Sequence, residues 1–322
     1  MRVGVIGVGV HGKHHVRILS AMEDVKLAGI FDVNKEIREN VAAEFHTKSF
    51  DTMESLLGEV DCVSVIVPTS LHCEVVMKCL EMDKHVLVEK PITATTEEAD
   101  KIISEAEKRG LILSVGHLER FNPAYRSVAG KGLKPVFIES HRLSIYNPRG
   151  TDVAVVLDLM IHDIDIILDM IRKPLTSVNA VGVSVVSDEI DIANARIEFE
   201  GGCVANLTAS RISQKKMRKL RLFQKNAYIS MDLLIGETEV FEIKKGLKPE
   251  AVTGAVPQMM EGIDYKKYQN DGQNALGLEI ADFINAVRNG TSPRVTASDG
   301  RKALEVAMMV MSGMEESARR IK

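Results

Sequence analysis

At 322 residues the chain is long enough for two domains, each with its own core, and a formal net charge of -4 gives no electrostatic reason to bind nucleic acid or an anionic membrane. Aromatic residues make up only 4% and Trp is absent, which disfavours stacking platforms for single-stranded nucleic acid. No apolar run reaches the roughly 18 residues needed to span a bilayer, and the N-terminus enters a strand-and-glycine pattern without a signal peptide, so a cytoplasmic protein is expected. Cys62, Cys73, Cys79 and Cys203 form no C-x-x-C pair and lie in apolar segments, so they read as small hydrophobes and no metal site is expected.

Arg2 to Ile6 reads as a strand, followed at once by Gly7-Val8-Gly9-Val10-His11-Gly12 and a helix to about Met22. This is G-x-G-x-x-G between strand and helix, the context that makes it a dinucleotide site. Gly7 allows the tight turn, Gly9 lets a pyrophosphate approach the backbone, and Gly12 lets helix and strand pack closely. Amide groups at the helix start, around Val10, His11 and Gly12, face the phosphates. A second strand, Val25 to Phe31, ends in Asp32, twenty positions after Gly12, where a carboxylate binds the adenine ribose hydroxyls. That acid favours NAD over NADP, because it repels a 2′-phosphate.

Asp61 to Val67 is a buried strand, and Pro68 and Thr69 end it over the same crevice, with His72 on the first turn of the next helix; these three, with Glu89 and Lys90 of the following strand end, are candidate cofactor contacts. His85 to Glu89 is another buried strand, closed by Glu89-Lys90-Pro91. The residue before a proline is held extended, so Lys90 aims its ammonium group above the sheet, where an oxygen-bearing substrate can be held. A helix over about Thr95 to Arg109, capped by Thr95 or Thr96, and a strand at Leu111 to Val115 complete the alternation. The expected result is an α/β doubly wound parallel sheet, residues 1–119, binding NAD.

Residues 120–322 have a different texture. A strand at about Pro135 to Leu143 and a loop at Asn147 to Gly150 precede an apolar helix, Val153 to Ile171. Asp158, His162, Asp165 and Asp169 fall within ~60° of one another at ~100° per residue, so they form one polar stripe, with Asp163 off to one side. Asp158 and His162 are an i,i+4 pair, the arrangement that tunes a proton acceptor near neutral pH. Asp165 and Asp169 read as a solvated face. Strand-like segments follow at Val178 to Val186, Ala193 to Phe199, Cys203 to Ala209, Leu220 to Phe223, Ala227 to Asp232 and Glu239 to Ile243. Short connections between them argue for a large open, mainly antiparallel sheet whose free apolar face suits a homo-oligomer. Lys215, Lys216, Arg218, Lys219 and Arg221 read as a solvated strand edge, with a counter-charge for a phosphorylated substrate as the second reading. Gly246 to Asn274 reads as loop, its Tyr265 and Tyr268 covering a site or a surface, before helices at Leu276 to Arg288 and Ser298 to Ile321.

Taken together, the glycine motif, Asp32, Glu89-Lys90-Pro91, Gly116 followed by Arg120-Phe121-x-Pro123, and Asp158-x-x-x-His162 resemble the glucose-fructose oxidoreductase / inositol dehydrogenase / MocA family over almost the whole chain. The resemblance implies a Rossmann domain followed by an α+β domain whose open sheet commonly serves homodimers and homotetramers. It implies that Lys90, Asp158 and His162 match the catalytic positions, and that His117, Arg120 and Asn122 join them in binding substrate. Many members carry a glycine run before the aspartate, whereas this chain has Asp152-Val153-Ala154-Val155-Val156, so its substrate-side loop differs. Within the family, Val115 to Pro123 and Val156 to Asp165 look most like the UDP-N-acetylglucosamine 3-dehydrogenase group.

The activity expected is reversible hydride transfer between NAD and a secondary alcohol of a sugar, most simply a nucleotide sugar. His162 is assigned as proton acceptor, Asp158 orients it or hydrogen-bonds a neighbouring hydroxyl, and Lys90 holds the reacting oxygen or itself carries the proton. Inositol, a free sugar or a polyol is the alternative substrate. A non-catalytic NAD-binding sensor is the alternative of another class.

Overall fold

The computed structural model describes residues 1–146, 153–244 and 262–321, so the Asn147 to Gly150 loop and 246–261 lie outside the described residues. Backbone contacts divide the chain into two compact units, residues 1–118 with 274–304, and 119–273 with 305–322.

The first unit alternates strand and helix: β1 (Arg2–Ile6), α1 (Val10–Ala21), β2 (Lys26–Phe31), α2 (Lys35–Glu44), α3 (Met53–Leu57), β3 (Cys62–Val65), α4 (His72–Glu81), β4 (His85–Glu89), α5 (Thr96–Arg109) and β5 (Leu113–Gly116). The strands form an all-parallel sheet in the order β2-β1-β3-β4-β5. The order reverses between β1 and β3, and ligands bind beyond the strand ends at such a switch point. Thr95 is the cap of α5: its hydroxyl accepts from the Glu98 amide while Glu98 reaches back to the Thr95 amide, two otherwise orphaned donors satisfied together.

The second unit contains α6 (Pro123–Arg126), β6 (Phe137–Leu143), a turn of π-helix (Val156–Met160) running into α7 (Ile161–Ile171), and then β7 (Leu175–Val183), β8 (Ile192–Phe199), β9 (Val204–Ser210), β10 (Met217–Gln224), β11 (Ala227–Asp232), β12 (Glu237–Ile243) and β13 (Ile263–Tyr268). Among the described residues these strands make one eight-stranded sheet, β13-β12-β11-β10-β6-β9-β8-β7, antiparallel except for the β6–β9 pair. Three expectations change here. Tyr265 and Tyr268 lie on β13, an outer strand, where a loop was expected. The basic cluster lies on and just before β10, an interior strand, so it blunts no sheet edge: Arg221 pairs with Glu139 at 3.0 Å and Lys219 with Asp232 at 3.7 Å across the sheet. The expected helix starts as a π turn, a form frequently found at functional sites.

After β13 the chain adds α8 (Ala275–Asn289) and α9 (Ala297–Ile321). Ile280, Phe283 and Ile284 of α8 are buried in the same cluster as Val5, Val16 and Leu19 of β1 and α1. Each such buried side chain contributes about 1.5–3 kcal/mol. This packing returns residues 274–304 to the first unit, in place of a single division after residue 119.

The solvated stripe expected on α7 is instead a buried ion-pair network. Arg120 grips Asp165 through two bonds of 2.6 and 2.8 Å and reaches Asp169 at 2.9 Å, and both Arg120 and Asp165 are at most 3% exposed in their side chains. Tyr125 donates to Asp169, and Arg172 pairs with it at 2.7 Å. Burial alone would raise the Asp169 carboxyl, but Arg120, Tyr125 and Arg172 more than offset it and hold it below the usual carboxylate range. A depressed carboxyl stabilises the fold at pH values above its unfolded value near 3.8 and loses that contribution as pH falls. Removing one partner of a buried pair leaves an uncompensated charge, so Arg120→Leu should cost about 3–5 kcal/mol. Thermal melting checks this, and Asp169→Asn should flatten the acid limb of the stability profile below about pH 4.

Candidate active site

In the first unit the glycine motif builds an open turn between β1 and α1. Gly7 has φ +84°, and a Cβ there would stand 2.3 Å from the Ile66 carbonyl oxygen. A Cβ on Gly12 would stand 1.9 Å from the Gly7 carbonyl oxygen, whereas one on Gly9 would meet nothing within 4 Å. So Gly7 and Gly12 let the backbone close on itself, and Gly9 leaves space above the start of α1, where Val10 and His11 are exposed. Asp32 is fixed beside this turn, with Oδ2 accepting from the Val8 amide at 2.8 Å and Oδ1 from the Asn34 amide at 2.9 Å. An open cradle at a helix N-terminus with a positioned carboxylate fits a dinucleotide.

Lys90 stands one residue beyond β4 and is half-buried. Its peptide bond to Pro91 is cis. The Lys90 amide donates to Glu89 Oε2 at 3.1 Å, and Glu89 Oε1 lies 3.5 Å from Nε2 of buried His15 on α1. Burial alone would raise Glu89, but His15, Lys90 and the Lys90 amide bring it below its usual range. Gly116 explains how the carboxylate fits: a Cβ there would lie 3.3 Å from Glu89 Oε2. His15 was missed in the sequence because a histidine on the buried face of a helix carries no local mark of its partner.

Pro68 and Thr69 follow β3 as expected, but His72 takes a different role from the cofactor ligand anticipated. It is 1% exposed, with Nδ1 2.8 Å from the Pro91 carbonyl oxygen and Nε2 2.9 Å from that of Val67. Burial pushes this imidazole below its ordinary value, against the two carbonyl contacts. His117, just beyond β5, is fully buried.

The second unit carries Asp158 on the π turn and His162 on the first turn of α7, both half-buried. Two of the residues expected to bind substrate make contacts within the second unit. Arg120 is committed to Asp165 and Asp169, and Asn122 caps α6 by accepting from the Ala124 amide at 3.0 Å while donating to Glu119 and the Leu233 carbonyl. Asp163, set aside in the sequence, is buried and held by Arg142 at 2.6 Å and by the Ser140 hydroxyl at 2.8 Å. Arg142 also bonds Glu119 at 2.9 Å, and half-exposed Arg218, beside Arg142 in the sheet register, reaches the same carboxylate at 3.5 Å. Among the described residues no group of three or more His, Cys, Asp or Glu could hold a metal ion.

Comparison with known proteins agrees with both halves of this description. Residues 1–117 match the model of an oxidoreductase family with an NAD-binding Rossmann fold, GFO/IDH/MocA, and residues 137–230 match the GFO/IDH/MocA C-terminal domain. The chain is 38% identical over 318 residues to UDP-N-acetylglucosamine 3-dehydrogenase of Acidithiobacillus ferrooxidans, covering 98% of this chain and 97% of that protein. This chain belongs to the GFO/IDH/MocA family. A solved structure of the Acidithiobacillus dehydrogenase superposes with a TM-score of 0.91 over 98% of each chain, at 36% identity. A more distant GFO/IDH/MocA relative, the NAD-dependent scyllo-inositol 2-dehydrogenase of Bacillus subtilis, is 27% identical and covers 96% of this chain and 92% of its own. The chain is thus a homologue of dehydrogenases that act on sugar hydroxyls and has a nicotinamide-binding fold.

The glycine geometry makes a direct prediction. Gly12→Ala cannot be seated without moving the Gly7 carbonyl, so NADH binding followed by fluorescence should weaken by about tenfold or more, the equivalent of ~1.4 kcal/mol. Gly9→Ala, which meets no protein atom, should fold normally and weaken NADH binding only by filling the cradle.

Proposed function

We propose that this chain oxidises a secondary alcohol of a nucleotide-linked sugar, with UDP-N-acetylglucosamine at its 3-position the leading substrate, using NAD. The observation that carries this reading is the end-to-end similarity to a dehydrogenase of that substrate, at 38% identity. Gly7, Gly9, Val10, His11 and Gly12 hold the pyrophosphate, Asp32 holds the adenine ribose, and Pro68, Thr69 and Glu89 line the remainder. The fixed carboxylate of Asp32 supports NAD over NADP, because a 2′-phosphate placed against it meets like charge. When bound, the nicotinamide supplies the hydride acceptor.

The protein supplies the rest. His162 takes the hydroxyl proton as the carbon–oxygen bond becomes a carbonyl, and Asp158 orients that imidazole. The Lys90 ammonium holds the reacting oxygen and stabilises its developing negative charge. Arg218, with Lys215 and Lys216 exposed ahead of β10, is the basic group for a diphosphate, and half-exposed Arg218 is available to a ligand in a way that enclosed Arg142 is not. Inositol is the second reading, favoured by the similarity to an inositol dehydrogenase.

The open face of the second-unit sheet supports self-association into a homodimer or homotetramer. Phe137, Phe223, Tyr228, Phe241 and Tyr265 stand in one row across five neighbouring strands, with ring centroids 5.6, 5.1, 5.6 and 5.0 Å apart. An apolar row of this kind on an open sheet face suits a second copy of the chain. No described helix is long and apolar enough to cross a membrane, and four free thiols agree with a cytoplasmic setting.

Absorbance at the reduced-nicotinamide band tests the activity. UDP-N-acetylglucosamine with NAD should give a rising signal, and Lys90→Ala and His162→Ala should each cut turnover by about 10²–10⁴-fold while NAD binding persists. Turnover of inositol alone moves the substrate assignment to the second reading, and NAD binding with no turnover on any alcohol moves it to a sensor. Neutralising Lys215, Lys216 and Arg218 to Gln should raise KM for the UDP-sugar by about tenfold, ~1.4 kcal/mol of lost contact, and leave a free sugar unchanged. Phe223→Glu should shift the sedimentation coefficient toward that of a single chain.

A further inference from the structure

His72 sits on the first turn of α4 with each ring nitrogen within hydrogen-bond distance of a backbone carbonyl, from two different loops; the neutral ring donates to one of them and the protonated ring to both. One carbonyl belongs to Val67, immediately before Pro68, and the other to Pro91, immediately after Lys90. Both lie beyond the ends of neighbouring strands, β3 ending at Val65 and β4 at Glu89. Pro68 and Pro91 have no amide hydrogen, so at these two positions the loops offer each other no backbone donor. The imidazole fills that place, and at 1% exposure water does not compete for it.

We propose that His72 is a positioning residue for Lys90. By filling the space between the Pro91 and Val67 carbonyls and donating its ring N–H there, it sets the backbone from which the Lys90 side chain leaves. On the other side of Lys90 its own amide is held by Glu89 at 3.1 Å, itself set against His15. The lysine backbone is thus pinned from both flanks, and the clamp from α4 is the one that joins it to a second strand end. A lysine stem has four rotatable bonds, so only a fixed backbone keeps its ammonium within the small region where it can meet a reacting oxygen. This inference rests on the reading of Lys90 as the group that holds that oxygen.

The test compares His72→Phe, which keeps a ring of similar size and deletes both nitrogens, with His72→Gln, which keeps an amide donor. Displacing a positioned group by ~1 Å costs up to about 10²-fold, so His72→Phe should lower kcat roughly 10–100-fold with little change in KM for the sugar, and His72→Gln should recover part of it. In a Lys90→Ala background the same His72→Phe change should lower kcat by less than about twofold, because a residue that acts through Lys90 has nothing left to position. An unchanged kcat, or the same fold-loss with and without Lys90, overturns the proposal. A second measurement does not need turnover. Lysines are dimethylated with ¹³C-formaldehyde, and the Lys90 signal is identified by its loss in Lys90→Arg. In His72→Phe that signal should move toward the position of solvent-exposed lysines, and an unmoved signal overturns the proposal. If the native protein oxidises no alcohol, the hydride-transfer reading fails, and the ¹³C signal alone decides whether His72 positions Lys90. Should His72→Phe not fold, as judged by thermal melting, His72→Gln carries both comparisons.

Discussion

The second unit depends on neutralising carboxylates that its own helix carries into the core. The segment from Val156 to Ile171 is apolar on nearly every side, so hydrophobic burial draws it in, and Asp163 and Asp165 go with it at 3% and 1% exposure. A lone carboxylate in that position would cost several kcal/mol. The chain meets this with two arginines, Arg120 from the segment that opens the unit and Arg142 from the interior strand β6, each gripping its aspartate through two nitrogen atoms. Paired in this way, the two aspartates fix the rotation of the helix about its axis, because any turn that freed one would strand the other. Asp158 and His162, on the same stretch, are half-buried.

This arrangement also shows what could be read from the sequence and what could not. The glycine turn, Asp32 and Lys90 before Pro91 were legible because each depends on backbone rules acting over a few residues: a positive φ at Gly7, a close approach at Gly12, a strand that must end. The polar stripe on α7 was also legible, but its meaning was not. Periodicity puts Asp165 and Asp169 on one face with His162, and it cannot tell a wet face from one covered by an arginine 45 positions away. For the same reason the sequence did not reveal the ion pairs of Arg120 or the helix-capping contact of Asn122. The basic cluster read as a strand edge because strand order is a long-range property: β10 pairs with β6, far earlier in the chain, and so becomes interior. His15 and His72 illustrate the same limit, since each finds its partner only when α1, α4 and β4 have packed.

The two units share one design habit. Candidate site residues sit at element ends and neighbouring groups hold the backbone beside them: Glu89 accepts from the Lys90 amide, Gly116 gives the Glu89 carboxylate room, and Arg211 bonds the Val153 carbonyl just ahead of the π turn. Family relatives with different substrates can therefore share the frame and differ in the groups that meet the sugar.

The return of α8 to the first unit has a consequence for the order in which the chain becomes structured. Residues 1–118 leave the ribosome first, yet the cluster of Val5, Val16 and Leu19 stays incomplete until Ile280, Phe283 and Ile284 have been made. During that interval the strands of the second unit's sheet are synthesised, and β6 has no partner for either edge until β9 and β10 have been made. Translation at about 5–20 residues per second makes the delay many seconds long. The nucleotide-binding half, although encoded first, is therefore among the last parts to acquire its full core, and the nascent chain must carry exposed apolar surface while the rest is synthesised.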